Sequence, residues 1–112
     1  MKYFKDTEFV MGKENVFSKM DADLLYKLDL LRGLVNRPLK LNSSYRNEKY
    51  NKAANGAKNS KHLTGNAVDI HCKDVILRAK IVKHALYLGM SCGVSNFFVH
   101  VDNRKGQIMF TY

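Results

Sequence analysis

Two short stretches constrain this chain more than anything else in it. "NAVDIHC", residues 66–72, and "FFVHVDN", residues 97–103, both alternate between apolar and polar residues. In a strand, alternate residues share a face. Val68, Ile70 and Cys72 therefore point one way, and Asp69 and His71 the other. In the second stretch Val99 and Val101 oppose His100 and Asp102. Each strand offers an apolar face to a core and a histidine–aspartate pair to whatever lies across from it.

The rest of the chain supplies that core. From Met20 to Val35, Leu24, Leu25, Leu28, Leu31, Leu34 and Val35 recur at helical spacing. Asp21 or Asp23 can cap the start, and "NRP" at 36–38 ends the run. "LKLNSS" reads as a strand. "YRNEKYNKAANGAKNS" is a long polar connection with a short helix around residues 47–54, and long loops in compact domains are often functional. "KDVILRAKIVKHALYLG" is a second helix, with Val75, Ile76, Ala79, Val82, Ala85 and Leu86 on one side and Gly89 stopping it. "GQIMFTY" is a last strand, joined to "FFVHVDN" as a hairpin through "NRKG". The expected fold is a single α+β domain over residues 1–112, with a small, mainly antiparallel sheet of about four strands packed with two main helices. A chain of 112 residues has room for one core and no more.

Charge and cysteine content narrow the setting. Lys and Arg number 19 against 10 Asp and Glu, leaving a net charge of +9. That surface favours polyanions such as nucleic acid, anionic wall polymers or acidic membranes. The charge is spread along the chain and names no partner. Cys72 and Cys92 form no CxxC pair, which excludes a cysteine-rich zinc ribbon, and they are expected to be reduced, mostly buried thiols. "MKYFKDTEFV" carries charges where a signal peptide needs an apolar run, and no stretch approaches a membrane span of about 20 apolar residues. The expectation is a soluble chain made in the cytoplasm, without membrane insertion, and a monomer by default.

Residues 60–72, "SKHLTGNAVDIHC", carry the chemistry. His62 precedes Asp69 by seven positions, and Gly65 permits the tight turn that would bring it back beside the strand. His62, Asp69 and His100 could then converge. Two imidazole nitrogens and a carboxylate oxygen make a plausible zinc shell with a fourth position free for water. The bland alternative is a set of hydrogen-bonded structural histidines.

The motifs also resemble a known family. "SKHLTGNAVDI" matches S-x-H-x-x-G-x-A-x-D, the signature of zinc D-Ala-D-Ala peptidases of the M15 type, whose fold is shared in part with the signalling domain of hedgehog proteins. "LNSSYRN" resembles the family's S-x-Y-R segment, and "NKAANGAKNS" fits the linker between the motifs. "FFVHVDNR" is similar to the F-V-H-V-D-x-R ending of the small M15 branch common in bacteriophages. The likeness covers nearly the whole chain.

By that resemblance His62, Asp69 and His100 hold one Zn2+ per chain, and Arg46 binds substrate or its developing oxyanion, a task suited to its fixed fork of donors. Many M15 enzymes place an acid three positions before the last zinc histidine, where this chain has Phe97. Asp102 is then the candidate general base. Its alternatives are an acceptor for a ligand imidazole or an ion pair with Arg104. His71 is a candidate for acid–base work or transition-state stabilisation, or a surface histidine. Ser60 is a candidate substrate contact or a turn cap. Lys58 and Lys61 flank the site and could attract acidic stem peptides, though they read best as solvated lysines, and His84 carries no expected role. The implied activity is zinc-assisted hydrolysis of a peptidoglycan stem peptide, at a D-Ala-D-Ala or L-Ala-D-Glu type bond. Such an enzyme would serve phage or prophage lysis or entry, reaching the wall once the membrane is breached or as part of a virion. A non-catalytic zinc-containing module that binds wall or protein is the alternative, favoured by Phe97. Specific nucleic-acid binding is a third reading with no motif to support it, because the aromatics sit in apolar runs.

Overall fold

The computed structural model describes all 112 residues. The N-terminal segment is tied down first. The backbone amides of Lys2, Tyr3 and Phe4 donate to the Asp29 carboxylate at 2.8, 2.8 and 3.3 Å. Phe4, Phe9 and Phe17 then pack edge against face. A two-stranded ribbon, β1 (Val10–Met11) and β2 (Glu14–Asn15), turns at Gly12 and leads into helix α1 (Ala22–Val35).

Helix α1 has the predicted ends. The Asp21 carboxylate accepts from the Leu24 amide at 3.0 Å, satisfying one of the orphan donors of the first turn. Asn36 closes the helix in the left-handed region, φ 57°, with its amide on the Arg32 carbonyl. Leu24, Leu28, Leu31 and Val35 are buried, whereas Leu34 is 45% exposed, so the core stripe is narrower than the leucine spacing suggests.

Helix α3 (Val75–Tyr87) departs further from expectation. It buries Leu77, Ile81 and Ala85, while Val75 and Ile76 face solvent. Its first two turns are apolar on adjacent sides, so two stripes satisfy the helical period. Leu77, Ile81 and Ala85 are the ones that join the core, and Asp74 fixes the helix start: it caps through the Ile76 amide at 2.8 Å and pairs with Arg37 at 3.1 Å. Gly89, φ +82°, follows the last turn as predicted.

The main sheet has five strands in the order β3-β4-β6-β5-β7: β3 (Leu41–Ser43), β4 (Ala67–His71), β5 (Ser91–Val94), β6 (Phe98–Asp102) and β7 (Met109–Thr111). The expected α+β class holds, with one strand more than anticipated. All pairings are antiparallel except β5 with β7. The expected hairpin between the last two strands is not formed. β5, unmarked in the sequence, makes the hairpin with β6 instead, and Ser95 holds its turn through bonds to Phe97 and Phe98. β7 crosses beyond β5 to the sheet edge.

Helices α1 and α3 and the apolar sheet face enclose one core that includes Val68, Ile70, Cys72, Cys92, Val99 and Val101. Burying a leucine or isoleucine there stabilises by roughly 1.5–3 kcal/mol. Both cysteines are free and buried, as expected. No helix is long and apolar enough to cross a membrane. With the helices on one face, the opposite face carries Asp69 and His100.

Candidate metal centre

His62 lies in a single 3-10 turn, Lys61–Thr64, and is 1% exposed. Ser60 caps the turn: its Oγ accepts from the His62 amide at 3.2 Å. Gly65 ends it at φ +72°, and a Cβ there would lie 2.0 Å from the Lys19 carbonyl oxygen. The glycine thus allows both the left-handed backbone and the docking of the turn on the start of α1, where the Asp21 amide donates to the Gly65 carbonyl at 3.0 Å. Asp69 and His100 are direct partners across the β4–β6 pair. Helix α2 (Glu48–Ala53), capped by Asn47, spans the polar connection beside them.

The three side chains meet. His62 Nε2 and His100 Nδ1 each lie 3.2 Å from the same oxygen, Asp69 Oδ1. One donor atom from each residue lies within 4.8 Å of the other two. The far nitrogen of each ring is already engaged. His62 Nδ1 donates to the Ser44 carbonyl at 2.7 Å, and His100 Nε2 donates to Asp102 Oδ2 at 2.7 Å. Those bonds fix the tautomers, so each neutral ring turns a lone pair inward. Three electron-rich atoms then converge with no donor between them, an arrangement that calls for a cation or extra protons. A ligand histidine whose second nitrogen is held by a carboxylate or carbonyl is a recurrent feature of zinc sites.

Extra protons on the two rings would play the cation's part: burial disfavours the Asp69 carboxylate, but hydrogen bonds from His100 and His62 then outweigh it and hold the carboxyl well below the usual range. Burial likewise opposes charge on His100, yet its bonds to Asp102 and Asp69 raise its basicity.

Asp102 stands behind His100, away from the other donors. It is fully buried. Oδ2 takes His100 Nε2 and, at 2.6 Å, Arg104 Nη2, while Oδ1 takes the Arg104 amide and Nε at 3.0 and 2.9 Å. Both of its sequence-level alternatives, acceptor for the ligand imidazole and partner of Arg104, describe this geometry, and the carboxylate does not line the cleft. His71 shares the face of Asp69 but is exposed, two residues along and opposite Phe98, and also lies outside the cleft. Phe97 is exposed at the β5–β6 turn. His84 sits on α3, away from the site.

The donor set opens into a cavity of about 290 Å³. Arg46 lines it, with Nη2 3.9 Å from Asp69 Oδ2 and a buried Nε that has no partner. Lys61 and Arg104 add positive charge, Ser60 lies at the wall, and Asp69 is the sole carboxylate. Lys58 stays outside. Two residues that the motifs did not mark, Phe110 and Tyr112, complete the wall. Their shared face was visible in the alternation of "FTY", but the partner strand that brings them here was not.

An α+β domain with two imidazoles and one carboxylate at the floor of an electropositive cleft has the makings of a mononuclear metallohydrolase. The family comparison places it more closely. The Peptidase M15 model matches residues 2–102, and the chain belongs to that family of zinc-dependent peptidases. No curated protein matches the sequence.

Proposed function

We propose that this protein is a zinc peptidase that hydrolyses an amide bond in peptidoglycan stem peptides, as a D-Ala-D-Ala carboxypeptidase or an L-Ala-D-Glu type endopeptidase, in phage or prophage lysis of the cell wall. The observation that carries the reading is the convergence of His62 Nε2, Asp69 Oδ1 and His100 Nδ1, each ring held from behind. In this reading those three atoms hold the metal. When bound, zinc supplies Lewis-acid polarisation of the scissile carbonyl and activation of water near neutral pH.

The protein's own groups do the rest. Ser44 and Asp102 fix the tautomers of the two histidines, and Arg104 anchors Asp102. Asp102 acts on His100 and not on water. Ser60 holds the turn that carries His62. Arg46 brings its guanidinium to the cleft wall, a group suited to the oxyanion or to a substrate carboxylate. Lys61 and Arg104 favour acidic stem peptides over neutral ones, and the net charge of +9 favours an anionic wall. His71 takes no part.

A second reading, a zinc-containing module that binds wall peptide or a protein without cleaving it, draws on one observation: Asp69 is the only carboxylate lining the cavity. One experiment separates the two. Wild type and His62→Ala are purified without added metal, their zinc is quantified, and each is incubated with purified peptidoglycan while new amines are followed. One zinc per chain with amine release, both lost in the variant, is the expected result. Zinc without amine release from walls of several types would select the binding module.

A further inference from the structure

Residues 103–112 lie beyond the region that the family model matches, yet they build one wall of the cleft. β7 is held in register against β5 from Cys92 opposite Met109 to Val94 opposite Thr111, and the Tyr112 amide donates to the Val94 carbonyl at 3.1 Å. Alternation puts Phe110 and Tyr112 on the same side of the strand. The Phe110 ring lies 5.5 Å from His100, and the Tyr112 ring lies 4.9 Å from Phe98 and 5.6 Å from Phe110. Gly93 makes room beneath them: a Cβ there would come within 2.3 Å of Phe110 and 3.0 Å of Tyr112.

The cluster needs three rings to pack, and two of them are phenylalanines. The third carries a hydroxyl that packing does not require. Tyr112 is 68% exposed, so its hydroxyl, without a partner in the protein, is open to solvent and to a ligand, and the residue lines the cavity together with His62, Asp69, His100 and Arg46. A phenol keeps its proton well above neutral pH, so at neutral pH it is a proton-bearing donor. The cleft holds no other phenol.

We propose that Tyr112 is a catalytic residue, whose O–H donates a hydrogen bond, beside Arg46, to the oxyanion that forms as the scissile carbonyl becomes tetrahedral. The inference rests on the peptidase reading above. No proton is transferred. The phenol remains intact, and its bond strengthens as negative charge develops on the carbonyl oxygen, which is how a fixed donor accelerates acyl transfer.

The test uses the zinc-loaded full chain, wild type and Tyr112→Phe, on a soluble stem peptide. A phosphinate analogue of that peptide, whose charged oxygens mimic the oxyanion, is titrated calorimetrically alongside. Tyr112→Phe is expected to lower kcat by about 10²-fold, the scale for removing one oxyanion donor, and to weaken the phosphinate by a similar factor. KM, zinc content and Tm are expected to stay unchanged, because the ring remains. Unchanged kcat and phosphinate affinity would overturn the proposal. So would a raised KM at constant kcat, which would assign Tyr112 to ground-state binding, or a fall in Tm, which would make the hydroxyl structural. A wild type that holds zinc and cleaves nothing would instead remove the peptidase reading, and this proposal with it.

Discussion

Replacing Asp102 with asparagine separates two tasks that a carboxylate beside a ligand histidine can perform. The native carboxylate accepts from His100 on one oxygen and from the Arg104 amide on the other, with the Arg104 guanidinium bridging both. An amide of the same shape keeps one oxygen and turns an NH2 toward donors. If its oxygen stays on His100, the NH2 meets the Arg104 amide and Nε; if it flips, it meets the imidazole N–H. Removing one partner of a buried ion pair costs roughly 3–5 kcal/mol. Arg104 is 26% exposed and can relax toward water, which points to the lower end, about 3 kcal/mol. For a domain of this size that is a Tm loss of about 12 °C. A misoriented His100 should also weaken zinc by about 10–100-fold, the usual effect of losing an outer-shell partner. At saturating zinc and below the new Tm, kcat should largely return. The assays are calorimetric melting, zinc competition with a chelating dye, and peptide hydrolysis over a zinc series. Unchanged Tm and zinc affinity with kcat down a thousandfold would refute this reasoning, and would make Asp102 the group that activates water.

Two further outcomes follow from the geometry. Gly65→Ala must adopt a left-handed backbone and meets the Lys19 carbonyl; it should cost at least about 2 kcal/mol and, by moving His62, weaken zinc as well, and a variant with wild-type Tm would contradict the account of that turn. Burial opposes ionisation of Asp29, but the amides of Lys2, Tyr3 and Phe4 outweigh it and depress its pKa. A depressed carboxylate contributes stability that is present above its ordinary value of 3.8 and lost as pH falls through the folded value. Protection factors at Tyr3 and Phe4, taken relative to the intrinsic exchange rate at each pH, should therefore be high near pH 6 and fall in acid, while Asp29→Asn should show little protection throughout; protected amides in the variant would show that Asp29 does not anchor the segment.

Much of the architecture was legible because local chemistry and tertiary packing agree in it. Asp21, the leucine stripe and Asn36 delimit α1 by capping and period alone. The alternation in β4 and β6 places Val68, Ile70, Val99 and Val101 in the core and Asp69 and His100 opposite. β5 escaped because "SCGV" is short, small and without alternation; its place is fixed by β6 and by the aromatic rings over Gly93. The buried side of α3 escaped because two stripes fit the same period, and only packing of Leu77, Ile81 and Ala85 against residues distant in the chain chooses between them. In the candidate site, alternation shows that Asp102 shares a face with His100. It cannot tell the cleft side of the imidazole from the far side, and that distinction sets the task of Asp102. Tyr112 was hidden for a similar reason: its neighbours come from a parallel pairing that no turn announces.

The direct cross-strand placement of Asp69 and His100 has a consequence for how this protein tolerates change. Side chains in a strand alternate faces, so a slip of one residue between β4 and β6 would set Ile70 or Val68 opposite His100 and turn the donors away from each other. The apolar residues that choose the pairing therefore also choose the ligand geometry. If the proposed metal site operates, metal capacity becomes a proofreader of the fold, because a molecule that has zipped incorrectly has no complete site with which to act. A conservative change at Val99 or Ile70, far from substrate, would be read by selection as a change in activity.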